Sequence, residues 1–252
     1  MSEWFLLSKK QFTRITPYVP LPHGVPRVDD LRVVSGIIDV VKNGLPWKDA
    51  PRAYGPPKTL YNRFIRWSRM GVFDRIFRAL AGAHGPPDRL MIAATHLKAH
   101  RTAASLLKKG LFPRCIGRTQ GGLNSKLHAV CDGGGRPVDL HLTAGQASDY
   151  TGARSLLHRL PKAKELIADR GYDADWFRAA LKGNGITPCI PPRKHRKTKL
   201  RYCKPLDQQR HTIENMFGKL KDWRRIAMRY DRCAHTFFSA ICLAATVIFY
   251  LN

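Results

Sequence analysis

Acidic residues are scarce in this chain. It has 18 Asp plus Glu against 44 Lys plus Arg, a formal net charge of +26 over 252 residues. Two long stretches, Arg89 to Cys131 and Trp176 to Leu206, contain no acid at all. Charge of one sign repels itself in a compact fold, and a polyanion partner relieves that most simply. The six cysteines (115, 131, 189, 203, 233 and 242) include no C-x-x-C pair. That excludes a zinc ribbon and a secreted disulfide framework, and it points to reduced thiols in a cytosol. The most apolar segment, Phe237 to Leu251, is short of the roughly 20 residues that span a bilayer, so it reads as a buried core helix. The N-terminal MSEWFLLSKK holds no apolar run of signal-peptide length. A cytoplasmic protein with no membrane contact is expected. There is no P-loop, since Gly133 to Gly135 reads as a hairpin turn. His96 and His100 belong to no H-E-x-x-H pattern, so a His-based zinc site is not expected. The acid-free stretches hold few aromatics (Phe112, Tyr202), which makes stacking on single-stranded bases a minor theme there.

What is present centres on PLDQQRHTIENMFGKLKDWRRIAMRY, from Pro205 to Tyr230. Asp207 can cap a helix with Pro205 just outside it. Ile213, Met216, Phe217 and Leu220 recur at three and four residues and form an apolar stripe. Arg210, Glu214 and Lys221 fall within about 40° of one another beside that stripe. One carboxylate among cations suits metal-assisted phosphodiester chemistry. An amphipathic helix with ordinary i,i+4 ion pairs would look the same.

Residues 1–85 read as helical. Asp29 or Asp30 caps a helix through Leu31, Val34, Ile37, Ile38 and Val41 that stops at Asn43-Gly44. Thr59 can cap a second helix through Leu60, Phe64 and Trp67, and a third runs from Val72 to Ala81. The second carries Arg63, Arg66 and Arg69, which makes it the candidate DNA-reading helix or else a solvated basic face. After the break HGPPDR the pattern changes. Strands are expected at 90–97, 126–131, 138–143, 165–168 and 186–190. Helices begin after Ser148 or Asp149 and after Asp173, and the Glu214 helix comes last. Three strands followed by alternating helices and strands imply a mixed sheet covered by helices. The expected domains are a helical DNA-binding domain at 1–85 and an α/β domain at 86–252.

Asp169 directly follows the strand Glu165 to Ala168. A carboxylate at that strand end points into the crevice where open α/β sheets bind ligands. Asp173 and Asp175 read as turn and cap residues. Around this site Lys98, Arg101 and Arg118, and then Arg193, Lys194, Arg196 and Lys197, can neutralise phosphates without reading sequence.

The pieces MIAATHLKAHRTA, IGRTQGGLNSKLHAV, TAGQASDY, ADRGYDAD and RHTIENMFGKLK resemble the DDE transposases of small bacterial insertion sequences, over nearly the whole chain. The closing signature of that family is Tyr-x2-Arg-x3-Glu-x6-Lys. Arg210, Glu214 and Lys221 match it, with Asp207 in place of the tyrosine. The resemblance implies a ribonuclease-H-like core in which Asp169 is the second catalytic carboxylate and Glu214 the third. It also implies two Mg²⁺ (or Mn²⁺) ions, held here by Asp169 and Glu214, with Arg210 and Lys221 positioning phosphates. Implied partners are duplex DNA at terminal inverted repeats, target DNA and a second copy of the chain, near the bacterial nucleoid. The chain departs from the family at its first carboxylate. The family reads Met-Ile-Asp-(Ser/Ala)-Thr-His, whereas Met91-Ile92-Ala93-Ala94-Thr95-His96 stands here. Loss of the bridging carboxylate implies DNA binding without cleavage. The alternative is a non-catalytic DNA-binding protein derived from a transposase. The alanine is open to two origins, an engineered block or a natural copy that has decayed.

Overall fold

The computed structural model describes residues 4–20, 28–105, 113–197, 200 and 202–251. In chain order its elements are α1 (Lys9–Ile15), α2 (Asp30–Asn43), α3 (Pro57–Arg69), α4 (Val72–Gly82), β1 (Arg89–Ala99), β2 (Gly117–Thr119), β3 (Gly122–Asp132), β4 (Pro137–Ala144), α5 (Asp149–Leu157), β5 (Glu165–Ala168), α6 (Asp175–Gly183), β6 (Thr187–Cys189), α7 (Lys204–Asp207), α8 (His211–Lys221), α9 (Arg224–Ala227) and α10 (Ala234–Tyr250). They form two compact units. Unit 1 takes residues 1–80, 100–114 and 220–252; unit 2 takes 81–99 and 115–219.

Unit 1 is helical. Asp29 caps α2 by accepting from the Leu31 N–H, and Gly44 ends it in the left-handed region at φ 74°. Every residue of α2 from Val33 to Val41 is buried, so this helix is the centre of its unit. A side chain at Gly36 would collide with Leu60 and Tyr54, and this close approach lets α3 lie against α2. The apolar α10 packs on both α2 and α3. The two units differ from the expected division at residue 85, in that residues 100–114 and 220–252 group with unit 1. The expected cap at Thr59 is also displaced: α3 opens two residues earlier, with Pro57 in its first turn. A proline there costs nothing, because the first helical N–H groups have no intrahelical partner. No helix among the described residues is long and apolar enough to cross a membrane.

Unit 2 is a mixed sheet ordered β2-β3-β1-β5-β6, with β4 also paired to β3. β1 runs antiparallel to β3 and parallel to β5, and β5 runs parallel to β6. The β3–β4 hairpin turns at Gly135, φ 81°. The short strand β2 went unread in the sequence. On one face Leu90, Ile92, Val130, Leu166 and Ala168 pack against Ala153, Leu156, Phe177 and Leu181 of α5 and α6. Of the two expected caps, Ser148 and Asp149, it is Ser148 that caps α5, by accepting from the Thr151 N–H. On the other face Met91, Ala129, Cys131 and Ile167 are fully buried without joining that cluster. On α8 the apolar stripe Ile213, Met216 and Phe217 is buried as well.

Candidate active site

Strand register fixes the centre of the site. The parallel β1–β5 ladder pairs Arg89 with Glu165 and ends at Ile92 beside Ala168. The next residues on the two strands are Ala93 and Asp169. Asp169 keeps an extended backbone, φ −75° and ψ 172°, so the strand alternation holds for one more step. Ile92 and Ala168 face the α5/α6 core. Residue 93 and Asp169 therefore lie side by side on the opposite face, one inter-strand spacing of about 4.8 Å apart. The Asp169 carboxylate accepts the Gly171 N–H at 2.6 Å, which clamps one oxygen. The other makes no hydrogen bond among the described residues.

Asp149 and Lys126 also belong to this neighbourhood, and the sequence reading missed both roles. A side chain at Gly171 would lie 2.7 Å from Asp169 Oδ1 and 3.5 Å from Asp149 Oδ2, so glycine leaves room for two carboxylates. Asp149 is held at 2.9 Å by the ammonium group of Lys126, which projects from β3. The Tyr172 hydroxyl is buried beside them without a hydrogen-bond partner among the described residues. Burial, and then the charges of Asp149 and Asp169, push its pKa far up. Only a reading of Asp149 as more than a helix cap would have flagged this cluster.

Glu214 projects from the first turn of α8 and is exposed. The start of this helix is tied to unit 2 twice. Arg89 donates to the Gln209 side chain at 2.6 Å, and Thr212 closes against Gly135 of the β3–β4 turn. These two ties place the start of α8 beside the β3–β4 turn and the first residue of β1. The expected helix start is corrected. Residues 208–210 form a 3₁₀ turn, and Asp207 makes no capping bond. Pro205 lies inside the short α7 rather than outside a helix. Arg210 lies in that turn and not in α8, and it donates to Asp207 at 2.7 Å. Lys221 keeps its place on α8, partly buried, and burial lowers its pKa.

The other candidate cations divide by what already holds them. Lys98, Arg101, Arg118, Arg193, Lys194, Lys197 and Arg66 are exposed. Arg63 is bound to Asp30 at 2.6 Å and lies over Trp67. The Arg196 guanidinium is held between Asp173 and Asp175. The role of Asp173 is corrected too. It does not cap α6, because Ala174 holds the N-cap position. Its buried carboxylate accepts from Arg178 at 2.8 Å, Arg196 at 2.9 Å and the Arg193 N–H at 2.9 Å. Burial opposes its ionisation, but the Arg193 N–H and the two guanidiniums outweigh that and hold its pKa below the ordinary value. Asp173 thereby pins the basic loop beside Asp169. Lys108 and Lys109, further members of the first basic stretch, lie outside the described residues.

A mixed sheet with an acid at the end of a central parallel strand, followed by a late helix that carries a second acid, has the order of a ribonuclease-H-like core. The chain belongs to the DDE transposases: residues 84–249 match the family "Transposase DDE domain", and residues 7–77 match "Putative transposase of IS4/5 family". It is 37% identical over 127 residues to the "Putative transposase for insertion sequence element IS6501" of Brucella ovis, covering 50% of this chain and 98% of that protein. It is 29% identical over 167 residues to the corresponding protein of element IS402 from Burkholderia cepacia, covering 62% and 75%. A piggyBac transposase in a synaptic complex with hairpin DNA shares the fold at TM-score 0.52 and 8% identity, over 97% of this chain and 66% of that one.

Transposases of this family generally use divalent metal. Mg²⁺ takes oxygen ligands in near-octahedral geometry, and a metal pair needs a shared carboxylate. Position 93 offers a methyl group. Among the described residues no group of three or more His, Cys, Asp or Glu is placed to hold a metal ion. The side chains present do not fit a two-metal site.

Proposed function

We propose that the chain binds the terminal inverted repeats of an insertion sequence, and that with alanine at 93 it holds DNA without cutting it. Asp169 and Glu214 are the two catalytic carboxylates that remain. The exposed cations Lys98, Arg101, Arg118, Arg193, Lys194 and Lys197 carry the phosphates of duplex DNA, terminal and target, and Arg210 and Lys221 flank Glu214. Arg66 on α3 reads the repeat, so residues 1–85 supply preference, and residues 86–252 carry what remains of the catalytic machinery. Bringing two ends of an element together calls for a homodimer. The observation that supports this reading is the β1–β5 register, which ends with Ile92 beside Ala168 and so makes Ala93 and Asp169 the next residues on adjacent strands.

The test is Ala93→Asp. In Mg²⁺ or Mn²⁺ the variant is expected to nick duplexes that carry the element's terminal repeats, whereas the parent only shifts them on a gel. Adding Glu214→Gln should return cutting to background and spare the shift. Ala93 also favours a second reading, a transposase-derived DNA-binding protein with no remaining chemistry. An inactive Ala93→Asp variant that still prefers terminal repeats would select that reading.

A further inference from the structure

Unit 1 contains a cavity of about 430 Å³ that the strand-end site does not use. We propose that it holds one unpaired DNA nucleotide, a reading that rests on the chain acting on DNA. The cavity is lined by Trp47, Tyr61, Arg69, Arg225, Tyr230 and Arg232, among others. Its volume falls in the range of small-molecule sites, roughly 300–1,000 Å³.

The floor is fixed. Trp47, delivered by a 3₁₀ turn after Pro46, stacks on Phe64 with ring centroids 5.0 Å apart and meets the edge of Tyr61 at 5.7 Å. The buried Arg225 guanidinium lies 5.3 Å from the Trp47 ring centroid and 5.9 Å from that of Tyr230. Two of its nitrogens donate to the Leu45 carbonyl, at 2.9 and 3.2 Å, so the plane cannot turn. The mouth is different. Tyr61 and Tyr230 are each 43% exposed, two of the few large rings left in solvent, and both border this one cavity. Exposed Arg69 and Arg232 stand beside them. Asp231 is the one acid among the lining residues, and it faces Arg225 at 3.8 Å.

Rings and a flat guanidinium stack on the faces of a base, and free arginines take its phosphate. In a duplex both faces of each base are covered, so only a nucleotide out of the stack can enter. The cavity lies outside the two acid-free stretches. Its rings come instead from segments that are separate in sequence.

The experiment uses the full chain and three probes: a blunt duplex, the same duplex with a three-nucleotide overhang containing 2-aminopurine, and a single-stranded tetranucleotide containing 2-aminopurine. The overhang should bind roughly tenfold more tightly than the blunt end, with its fluorescence quenched by stacking. Tyr61→Ala with Tyr230→Ala should bring that ratio to about one and abolish the quenching. Tyr61→Phe with Tyr230→Phe should keep both, because stacking needs the ring and not the hydroxyl. A wild-type ratio near one, or an Ala pair that keeps the preference and the quenching, overturns the pocket. Equal binding of both duplexes with no quenching of the tetranucleotide overturns the pocket and leaves the DNA function standing. Quenching of the tetranucleotide without duplex binding does the reverse. Binding of no probe overturns both.

Discussion

At the scale of single residues, the buried polar groups of unit 2 are poised around hydrogen bonds. His128 projects from β3 beneath α5 and is fully buried. Its Nε2 meets Thr143 Oγ1 at 2.9 Å, and its Nδ1 has no partner among the described residues. Burial, and then the nearby charge of Lys126, push its pKa down to about 4. An unfolded histidine binds its proton near pH 6.5. Between those two values the unfolded chain carries a proton that the folded chain lacks, so acidification favours unfolding. The stability tied to His128 is complete above pH 6.5 and is lost as the pH falls toward 4, by at most about 3 kcal/mol. Urea midpoints measured at pH 7 and pH 4.5 should therefore differ more in the wild type than in His128→Gln. A variant with the same pH dependence as the parent would place the sensitivity elsewhere.

At the scale of elements, the β1–β5 pair and the loop after β5 position Asp169 and Asp173. Asp173→Asn keeps the side-chain shape but removes the charge that faces Arg178 and Arg196. Breaking a buried ion pair by removing one partner costs about 3–5 kcal/mol. The loop around Arg193 should then become a protease site, cut within residues 191–197 far faster than in the parent. Equal cleavage of the two proteins would show that the loop is held by other contacts. The contrast between Asp169 and Asp173 marks how far the sequence could be read. Asp169 was legible because strand-end position is a local property: an apolar run, then an acid, then a glycine two residues on. The hairpin, the Ser148 cap and the core helix at the C-terminus were legible for the same reason. Asp173 was misread because two of its three partners, Arg193 and Arg196, lie twenty and more residues away, and the third, Arg178, stands where any residue of the following helix would. The start of α8 failed similarly, because Asp207 spends its charge on Arg210 and not on a backbone N–H. The face shared by residue 93 and Asp169 follows from strand parity, but only once the register of the two strands is known.

At the scale of the whole molecule, neither unit is a continuous stretch of chain. α10 is packed on α2 and α3, so cutting after residue 80 uncovers a helix that is buried along nearly its whole length. The fragment 81–252 should be found in the insoluble fraction and should bind a hydrophobic dye. A soluble, cooperatively folding fragment would contradict the packing. The contribution of the front unit to DNA preference is better measured with Arg66→Glu in the full chain, which should lower affinity for terminal repeats more than for random duplex. The placement of α10 also has a consequence for biosynthesis. Many proteins fold domain by domain from the N-terminus while still on the ribosome. Here the helices made first wait for residues 234–250 before their core can close. A nascent chain therefore cannot close this helical core until residues 234–250 have been made, and a product broken off before that point is left with α2 and α3 uncovered.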